Sequence, residues 1–447
     1  MANRKRKIAR KAGSSRHFLL SQADTRQVEE APEYDAEHVR DLLAAEFPDL
    51  LWGTGLRGAC AKRLKAVSRF AALVVRPDEA PGRQLPLMAG PDPGPLLSIA
   101  HSLARVCHDI GGFWGIEDHG LPAGFLPGLR AAEGLTAAKA FQHALREQTG
   151  GTLTVGIAVH PTLDYAVHET VVNARKAADH AAFFGPGSCA AFDAVSLNIS
   201  GDKCFEHGDT EAAIREFQRA LALDPANVNV RNSLGVCYAV LGDYEEALQQ
   251  FAAAVSLDSR EYMAIYNIGL VHWLLGRKEA ALHHLLQASA LRGDVFEILF
   301  QIGKLQLDLH QPHAARENLE HAGRLRTRSG GIYRYLGDCY AALDLSEKAI
   351  AAYKKAIKFN SSDPTALSAL GCLFDGKGEN PDISLMFCRE SVKLAPENPL
   401  FRHRLGALCL KQNRLEDALE HLEAAARLGR DTAGDIRRVR ERMEGRN

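Results

Sequence analysis

Glycine recurs at a fixed interval through the second half of this 447-residue chain. Seven glycines are spaced by 34 residues five times and then by 35, at positions 201, 235, 269, 303, 337, 371 and 406. A period of about 20 to 50 residues is typical of stacked repeats, in which each unit buries its apolar face only against a neighbour. The interval therefore predicts a repeat array in this half rather than a single globular core.

Alanine and one large residue recur in the same register. Alanine lies twelve and nineteen residues after each of the first five glycines, as at Ala213 and Ala220 after position 201. The large residue between the two alanines is Phe217, Phe251, Leu285, Leu319 or Tyr353. Antiparallel helices cross closely only where side chains are small, and we expect the large residue to fill the space between neighbouring pairs.

Helix pairs with this period and pattern resemble tetratricopeptide repeats, and the resemblance covers residues 194–430 in seven repeats. The polar segment 431–447 is predicted to be a capping helix, because a solenoid has to cover its last apolar face. In that family the first helix of each repeat lines a concave surface. The resemblance therefore implies a groove for a peptide or helix of a protein partner.

Counting from the glycines gives the positions that would face this groove. The strip is apolar and aromatic with one lysine, and it consists of Met263, Tyr266, Leu270, Trp273, Phe300, Lys304 and Leu307. Such a strip on a surface otherwise wetted by water predicts a docking site for a partner segment. The alternative is that Trp273 and Tyr266 pack against neighbouring helices, and the sequence leaves both open.

Strand-like and helix-like stretches alternate in the N-terminal half. The apolar runs 70–75 and 152–161 indicate buried strands, with helical spacing between and after them, so residues 70–193 are predicted to form an α/β domain. Residues 36–69 are predicted to be a helical linker, and the basic segment 1–35 a disordered tail. The expected fold class is therefore mixed, an α/β domain followed by an all-α superhelical solenoid.

The stretch TLTVGIAVHP, residues 152–161, resembles a strand of the GGDEF domain of bacterial diguanylate cyclases. The resemblance spans 70–193 and aligns Gly111-Gly112 with the turn of the family's catalytic hairpin. Family cyclases hold two metal ions with an acid that ends the first strand and an acid in that hairpin. The aligned positions here are Arg76 and Phe113-Trp114, which offer a cation no oxygen ligand.

The resemblance thus implies a degenerate GGDEF-like domain that has lost cyclase activity, with no metal and no cofactor, so the protein is not expected to be an enzyme. The alternative is a nucleotide receptor that binds GTP or cyclic di-GMP through this domain, and an active diguanylate cyclase is the less favoured one. A homodimer formed through the same domain also stays open.

Charge and cysteine usage narrow the remaining classes. The formal net charge of −1 gives no overall attraction to nucleic acid or to membranes. No apolar run reaches the roughly 18 residues of a membrane-spanning helix. Nine scattered cysteines without a C-x-x-C pair suit the reduced thiols of a cytoplasm. The sequence therefore predicts a bacterial cytoplasmic scaffold, in signalling or assembly, whose partner is a protein and not a specific nucleic acid.

Overall fold

The computed structural model describes residues 36–78, 94–378 and 381–445, without the side chains of 36–39 and 95. The tail predicted at 1–35 lies outside the described residues. The chain divides into two compact units, Met1–Ala264 and Ile265–Asn447.

The first unit opens with a six-stranded mixed sheet. Its strands are β1 (Leu51–Trp52), β2 (Phe70–Pro77), β3 (Phe113–Ile116), β4 (Pro122–Pro127), β5 (Leu153–His160) and β6 (Cys189–Ala191). Their order is β1-β3-β4-β2-β5-β6, with β2 antiparallel to both β4 and β5. The accompanying helices are α1 (Ala36–Ala44), α2 (Gly53–Arg63), α3 (Gly94–Asp109), α4 (Ala131–Thr149) and α5 (Thr170–Ala182). The predicted α/β region is confirmed.

Strand β2 lies in the middle of the sheet and is buried on both faces. Successive side chains of a strand point to opposite faces. Leu73 accordingly packs in a cluster with residues of α3 and α4, whereas Val74 packs in a second cluster with residues of α2 and α5. This two-sided burial explains why 70–75 is a continuous apolar run rather than an alternating one.

The glycine within β5 allows α5 to lie directly on the sheet. A Cβ added at Gly156 would stand 1.9 Å from the backbone oxygen of Ala174 and 2.1 Å from the backbone nitrogen of Ala178. Since any side chain at this position would displace the helix, the glycine in the middle of this strand is a packing requirement.

Two helical hairpins follow in the same unit. They consist of α6 (Ala194–Glu206) with α7 (Thr210–Leu223) and α8 (Val228–Leu241) with α9 (Tyr244–Leu257). Ion pairs join the first hairpin to α5. Lys176 contacts the Glu216 carboxylate of α7 at 2.7 Å, and Lys203 of α6 contacts Asp179 at 2.9 Å. The α/β region and the first hairpin are therefore packed against each other within this unit.

The second unit is helical throughout its described residues. Helix α10 (Tyr262–Leu274), which enters this unit at Ile265, is followed by α11 (Lys278–Leu291), α12 (Phe296–Asp308), α13 (Pro312–Leu325), α14 (Gly330–Ala342), α15 (Ser346–Phe359), α16 (Pro364–Gly376), α17 (Pro381–Leu394), α18 (Pro399–Lys411), α19 (Leu415–Arg427) and α20 (Ala433–Glu444). The last of these, α20, buries Val439 in a cluster with Leu415 and Leu422.

The repeated glycine contacts the repeated large residue inside most of the described hairpins, whereas Gly371 faces the sulfur of Cys388. A Cβ added at Gly235 would stand 2.5 Å from the Cε1 atom of Phe251, and one added at Gly337 would stand 2.5 Å from that of Tyr353. The large residue was expected between neighbouring pairs, but it packs on the glycine of its own pair, sixteen residues before it. The glycine is needed because the aromatic ring occupies the space of a side chain.

Candidate partner-binding site

The seven residues predicted to line the groove fall into three environments. Tyr266 and Leu270 are only 0% and 2% exposed, so they belong to the core and offer a partner no surface. Packing, the alternative for Tyr266, is confirmed, and burial raises the pKa of its phenol far above the usual range. Met263 is half-buried in the first unit, where its backbone N–H donates to the Glu261 carboxylate at 2.9 Å.

The other four residues keep part of their surface. Trp273 in α10 and Phe300, Lys304 and Leu307 in α12 are each partly exposed. Leu307 packs against the apolar cluster that α12 shares with α13 and α14. Trp273, Phe300 and Lys304 are therefore the predicted residues that stand together at a surface.

An aromatic box encloses the Lys304 ammonium. The Nζ atom lies 5.2 Å from the centroid of the Trp273 ring, 5.5 Å from that of Phe300 and 5.5 Å from that of Tyr335. We use the name aromatic box for these four residues. The rings come from α10, α12 and α14, the first helices of three successive hairpins. A cation over an aromatic face gains about 0.5 to 2 kcal/mol, which holds the lysine in this position.

Ring contacts fix the walls of the box. Phe300 meets Tyr335 edge to face at 5.3 Å between centroids, and Phe296 stacks on Phe300 at 5.3 Å. The guanidinium carbon of Arg334 lies 3.7 Å from the Tyr335 centroid. Such pairs add about 0.5 to 1.5 kcal/mol beyond their buried area, so the rings are ordered before any partner arrives.

The two cations of the site differ in their partners. Arg334 contacts the carboxylates of Asp338 at 3.0 Å and Asp363 at 3.5 Å. Lys304 donates to the amide oxygen of Gln301 at 3.0 Å, and among the described residues no carboxylate lies within 4.0 Å of it. Burial, reinforced by the charge of Arg334, lowers the pKa of Lys304, and the charge of Asp308 on the same helix opposes this shift. The lysine is therefore a half-buried positive charge that no carboxylate contacts among the described residues.

The glycine pair at 111–112 does not form a hairpin turn. Because Ile116 of β3 pairs with Pro122 of β4, the turn of this hairpin consists of residues 117–121. A Cβ added at Gly112 would stand 2.1 Å from the backbone oxygen of Phe125, so the glycine lets the connection from α3 pass close to β4.

Phe113 and Trp114, which were predicted to replace acids of a turn, lie within β3 itself. Phe113 stacks on Phe125 at 4.8 Å, and Trp114 meets Phe47 edge to face at 4.9 Å. The prediction of a hairpin turn at 111–114 is therefore wrong, because pairing with β4 begins at Phe113 and the polar residues that turn the chain come later.

The acids of the true turn are paired with arginines. Glu117 is 4% exposed and accepts from Arg175 at 3.0 Å, while Asp118 contacts Arg57 at 3.3 Å. Arg76, at the end of β2, contacts Asp179 at 3.5 Å. Within the parts of the chain that the structure describes, no group of three His, Cys, Asp or Glu side chains is placed to hold a metal ion.

Comparison with known proteins bears on the helical part. A tetratricopeptide repeat family matches residues 205–262, 241–294 and 300–364. These residues form tetratricopeptide repeats. The prediction of tetratricopeptide repeats is thereby confirmed for these residues, and proteins with such repeats generally mediate protein–protein interactions. A search of the curated proteins finds no match.

Solved tetratricopeptide structures are similar at low identity. The protein pilF of Pseudomonas aeruginosa is 20% identical, with 47% of this chain and 95% of that one covered and a TM-score of 0.43. YrrB, described as having an unusual peptide-binding site, is 18% identical over 42% and 96% of the two chains, with a TM-score of 0.39. A repeat protein from Parabacteroides merdae is 16% identical over 55% and 96%, with a TM-score of 0.41.

Sequence reasoning missed three residues of this tetratricopeptide surface. Phe300 and Lys304 lie three residues before and one residue after Gly303. The same positions relative to Gly337 are Arg334 and Asp338. Tyr335 lies one position after Arg334, outside these positions, and only the fold shows its ring against the lysine.

Among the described helices, none is both long and apolar enough to cross a bilayer.

Proposed function

We propose that this protein is a scaffold that binds a segment of a protein partner at the aromatic box of its tetratricopeptide repeats. One observation carries the proposal: three partly exposed rings on three successive first helices surround a half-buried ammonium that has no carboxylate partner among the described residues. Trp, Tyr and Arg are the side chains that dominate binding energy at protein interfaces.

The organisation of the box also favours binding. Its rings are held by contacts within the protein, so little side-chain entropy is lost when a partner covers them. Tyr266 and Leu270 are buried and are not part of the proposed contact surface. The proposed site is therefore narrower than the strip expected from the sequence.

The N-terminal region has a supporting place in this proposal. Residues 70–193 form a degenerate GGDEF-like domain without cyclase activity, and 194–430 form the repeats, in a bacterial cytoplasmic protein. Arg76 at the end of β2 supports the loss of activity, because a guanidinium held against Asp179 repels a metal ion from that position. The pairing of Glu117 with Arg175 supports it further, since the carboxylate already has a cation.

The test is a selection of binding peptides on the full-length protein. A random peptide library displayed on phage is selected against the wild type, and the enriched peptides are measured against Trp273→Ala and Phe359→Ala. Phe359 is an aromatic residue of the same unit, 41% exposed on α15. We expect Trp273→Ala to weaken binding at least about tenfold and Phe359→Ala to leave it unchanged. Equal binding to both variants would remove the box from the proposed function.

A further inference from the structure

We infer that the aromatic box takes an acidic side chain from the interior of the partner segment, flanked on both sides by apolar residues. This inference rests on the proposed function and states the chemistry of its ligand. The observation behind it is the difference between Lys304 and Arg334, which lie on neighbouring first helices of the same surface.

The charge of the site is unbalanced at one atom. Arg334 is matched by Asp338 and Asp363, and Asp338 is itself held by the Tyr353 hydroxyl, which donates to it at 2.7 Å. Lys304 contacts a neutral amide and three rings, and the charge of Asp308 acts on it only from beyond contact distance. A ring face and an amide oxygen compensate a desolvated ammonium less than a carboxylate does. One added anion would therefore complete the site, and a cation there would be repelled.

The position of the rings selects an internal residue over a chain end. Trp273 lies on the first helix of the hairpin before that of Lys304, and Tyr335 lies on the first helix of the hairpin after it. A segment that covers both rings has to pass the ammonium and continue on either side of it. An acidic side chain in mid-segment does so while its neighbours bury apolar surface on the rings. A terminal carboxylate would leave one ring uncovered, and such chain ends are commonly bound by backbone N–H groups instead.

The ring surfaces specify the flanking residues. Trp273, Phe300 and Tyr335 offer apolar faces, and Phe300 continues into the Phe296 ring stacked on it. Aromatic or aliphatic side chains on each side of the acid would remove these faces from water. A basic flanking side chain would be repelled by the Lys304 ammonium, which no carboxylate contacts among the described residues.

The experiment repeats the peptide selection on the full chain with three lysine variants. Lys304→Glu reverses the charge, Lys304→Met removes it while keeping a long apolar side chain, and Lys304→Arg keeps it. Circular dichroism shows that each variant is folded, which is expected because Lys304 is partly exposed. We expect selection on the wild type and on Lys304→Arg to enrich one Asp or Glu between apolar residues. Selection on Lys304→Glu should lose the acid and enrich Lys or Arg in its place.

Synthetic peptides then separate the two sources of a carboxylate. The enriched peptide is made with both ends blocked, once with the acid and once with Gln in its place, and both are titrated by fluorescence polarisation. We expect the exchange to Gln to weaken binding to the wild type about tenfold and binding to Lys304→Met less than about twofold. A requirement for a free C-terminal carboxylate would overturn the inference.

The outcomes distinguish this inference from the proposed function. Peptides that depend on Trp273 but carry no acid, or that keep the acid on Lys304→Glu, would overturn the inference and leave the scaffold function standing. If no enriched peptide depends on Trp273, the proposed function fails together with it.

Discussion

Replacing Gly235 by alanine tests the contact between glycine and a large side chain that recurs in the repeat array. Gly235 lies in α8, and the ring of Phe251 in α9 is fully buried beside it. The new Cβ would stand 2.5 Å from Cε1, 2.7 Å from Cδ1 and 3.0 Å from Cζ of that ring. Because three atoms of an enclosed ring are involved, the two helices have to separate.

The expected magnitude follows from two opposing effects. Overpacking a core is destabilising by about 1 to 3 kcal/mol, and this contact belongs at the upper end because the ring has no free space to move into. Alanine favours a helix over glycine by about 1 kcal/mol. We therefore expect the free energy of unfolding of this hairpin to fall by about 2 kcal/mol.

A second glycine of the same unit is the matched control. Gly58 lies in the middle of α2, and a Cβ added there would have nothing within 4 Å. Gly58→Ala should therefore show the helix propensity alone, a gain of about 0.5 to 1 kcal/mol. Native-state hydrogen exchange read by mass spectrometry measures both helices separately in one unit.

A double mutant tests whether the ring of Phe251 causes the effect of Gly235→Ala. In a Phe251→Leu background the ring atoms are gone, so the same exchange should be less destabilising than in the wild type, a coupling of about 1 kcal/mol. If protection of the α8 and α9 amides rises in Gly235→Ala as it does around Gly58, the proposed steric origin of the glycine period is refuted.

Three further predictions concern the first unit. The Lys176–Glu216 pair is 14% and 18% exposed at 2.7 Å, so Lys176→Met should lower the free energy of unfolding by about 1 to 3 kcal/mol, and a double-mutant cycle with Glu216→Gln should return a favourable coupling. Burial, with the charge of Glu206, raises the pKa of Asp202 to about 7, so the stability that its proton contributes is complete below about pH 4 and is lost as the pH rises through about 7. Asp202→Asn should therefore raise the free energy of unfolding by about 1 to 2 kcal/mol at pH 8 and leave it unchanged at pH 4 in urea titrations, and an equal effect at both pH values would contradict the assignment. Incubation with GTP and Mg²⁺, followed by chromatography, should give no cyclic di-GMP. Formation of this product would contradict the proposed loss of cyclase activity in the N-terminal domain.

The repeat array was predictable because its determinant is local and recurrent. A glycine that faces a large side chain sixteen residues later recurs along the array, as Gly235 with Phe251 and Gly303 with Leu319 show. Which of the predicted groove residues are buried and which are exposed was not predictable from their positions relative to the glycines. Tyr266 and Phe300 hold the same place relative to their glycines, yet one is fully buried and the other is partly exposed, because the neighbouring helices differ at the two places.

The hairpin of the sheet shows a different limit. Gly111-Gly112 has the composition of a turn, but so does the polar stretch from Glu117 to Gly120 a few residues later. Which of the two turns the chain depends on the register of β3 against β4, which is set by packing on both faces of the sheet. Tyr335 was missed for a related reason, since its ring reaches the box through a contact between helices and not through a position in the repeat.

The 34-residue register separates how this chain can vary in length from how it can vary in specificity. Duplication or loss of one whole repeat leaves every remaining glycine sixteen residues ahead of its large partner, so recombination can lengthen or shorten the array without a new core. The box cannot be exchanged in this way, because Trp273, Phe300 and Tyr335 come from three successive repeats. Loss of the middle repeat would leave a protein that still folds but no longer has the complete binding site. Each repeat carries its own stabilising contact, whereas the binding site requires three successive repeats together.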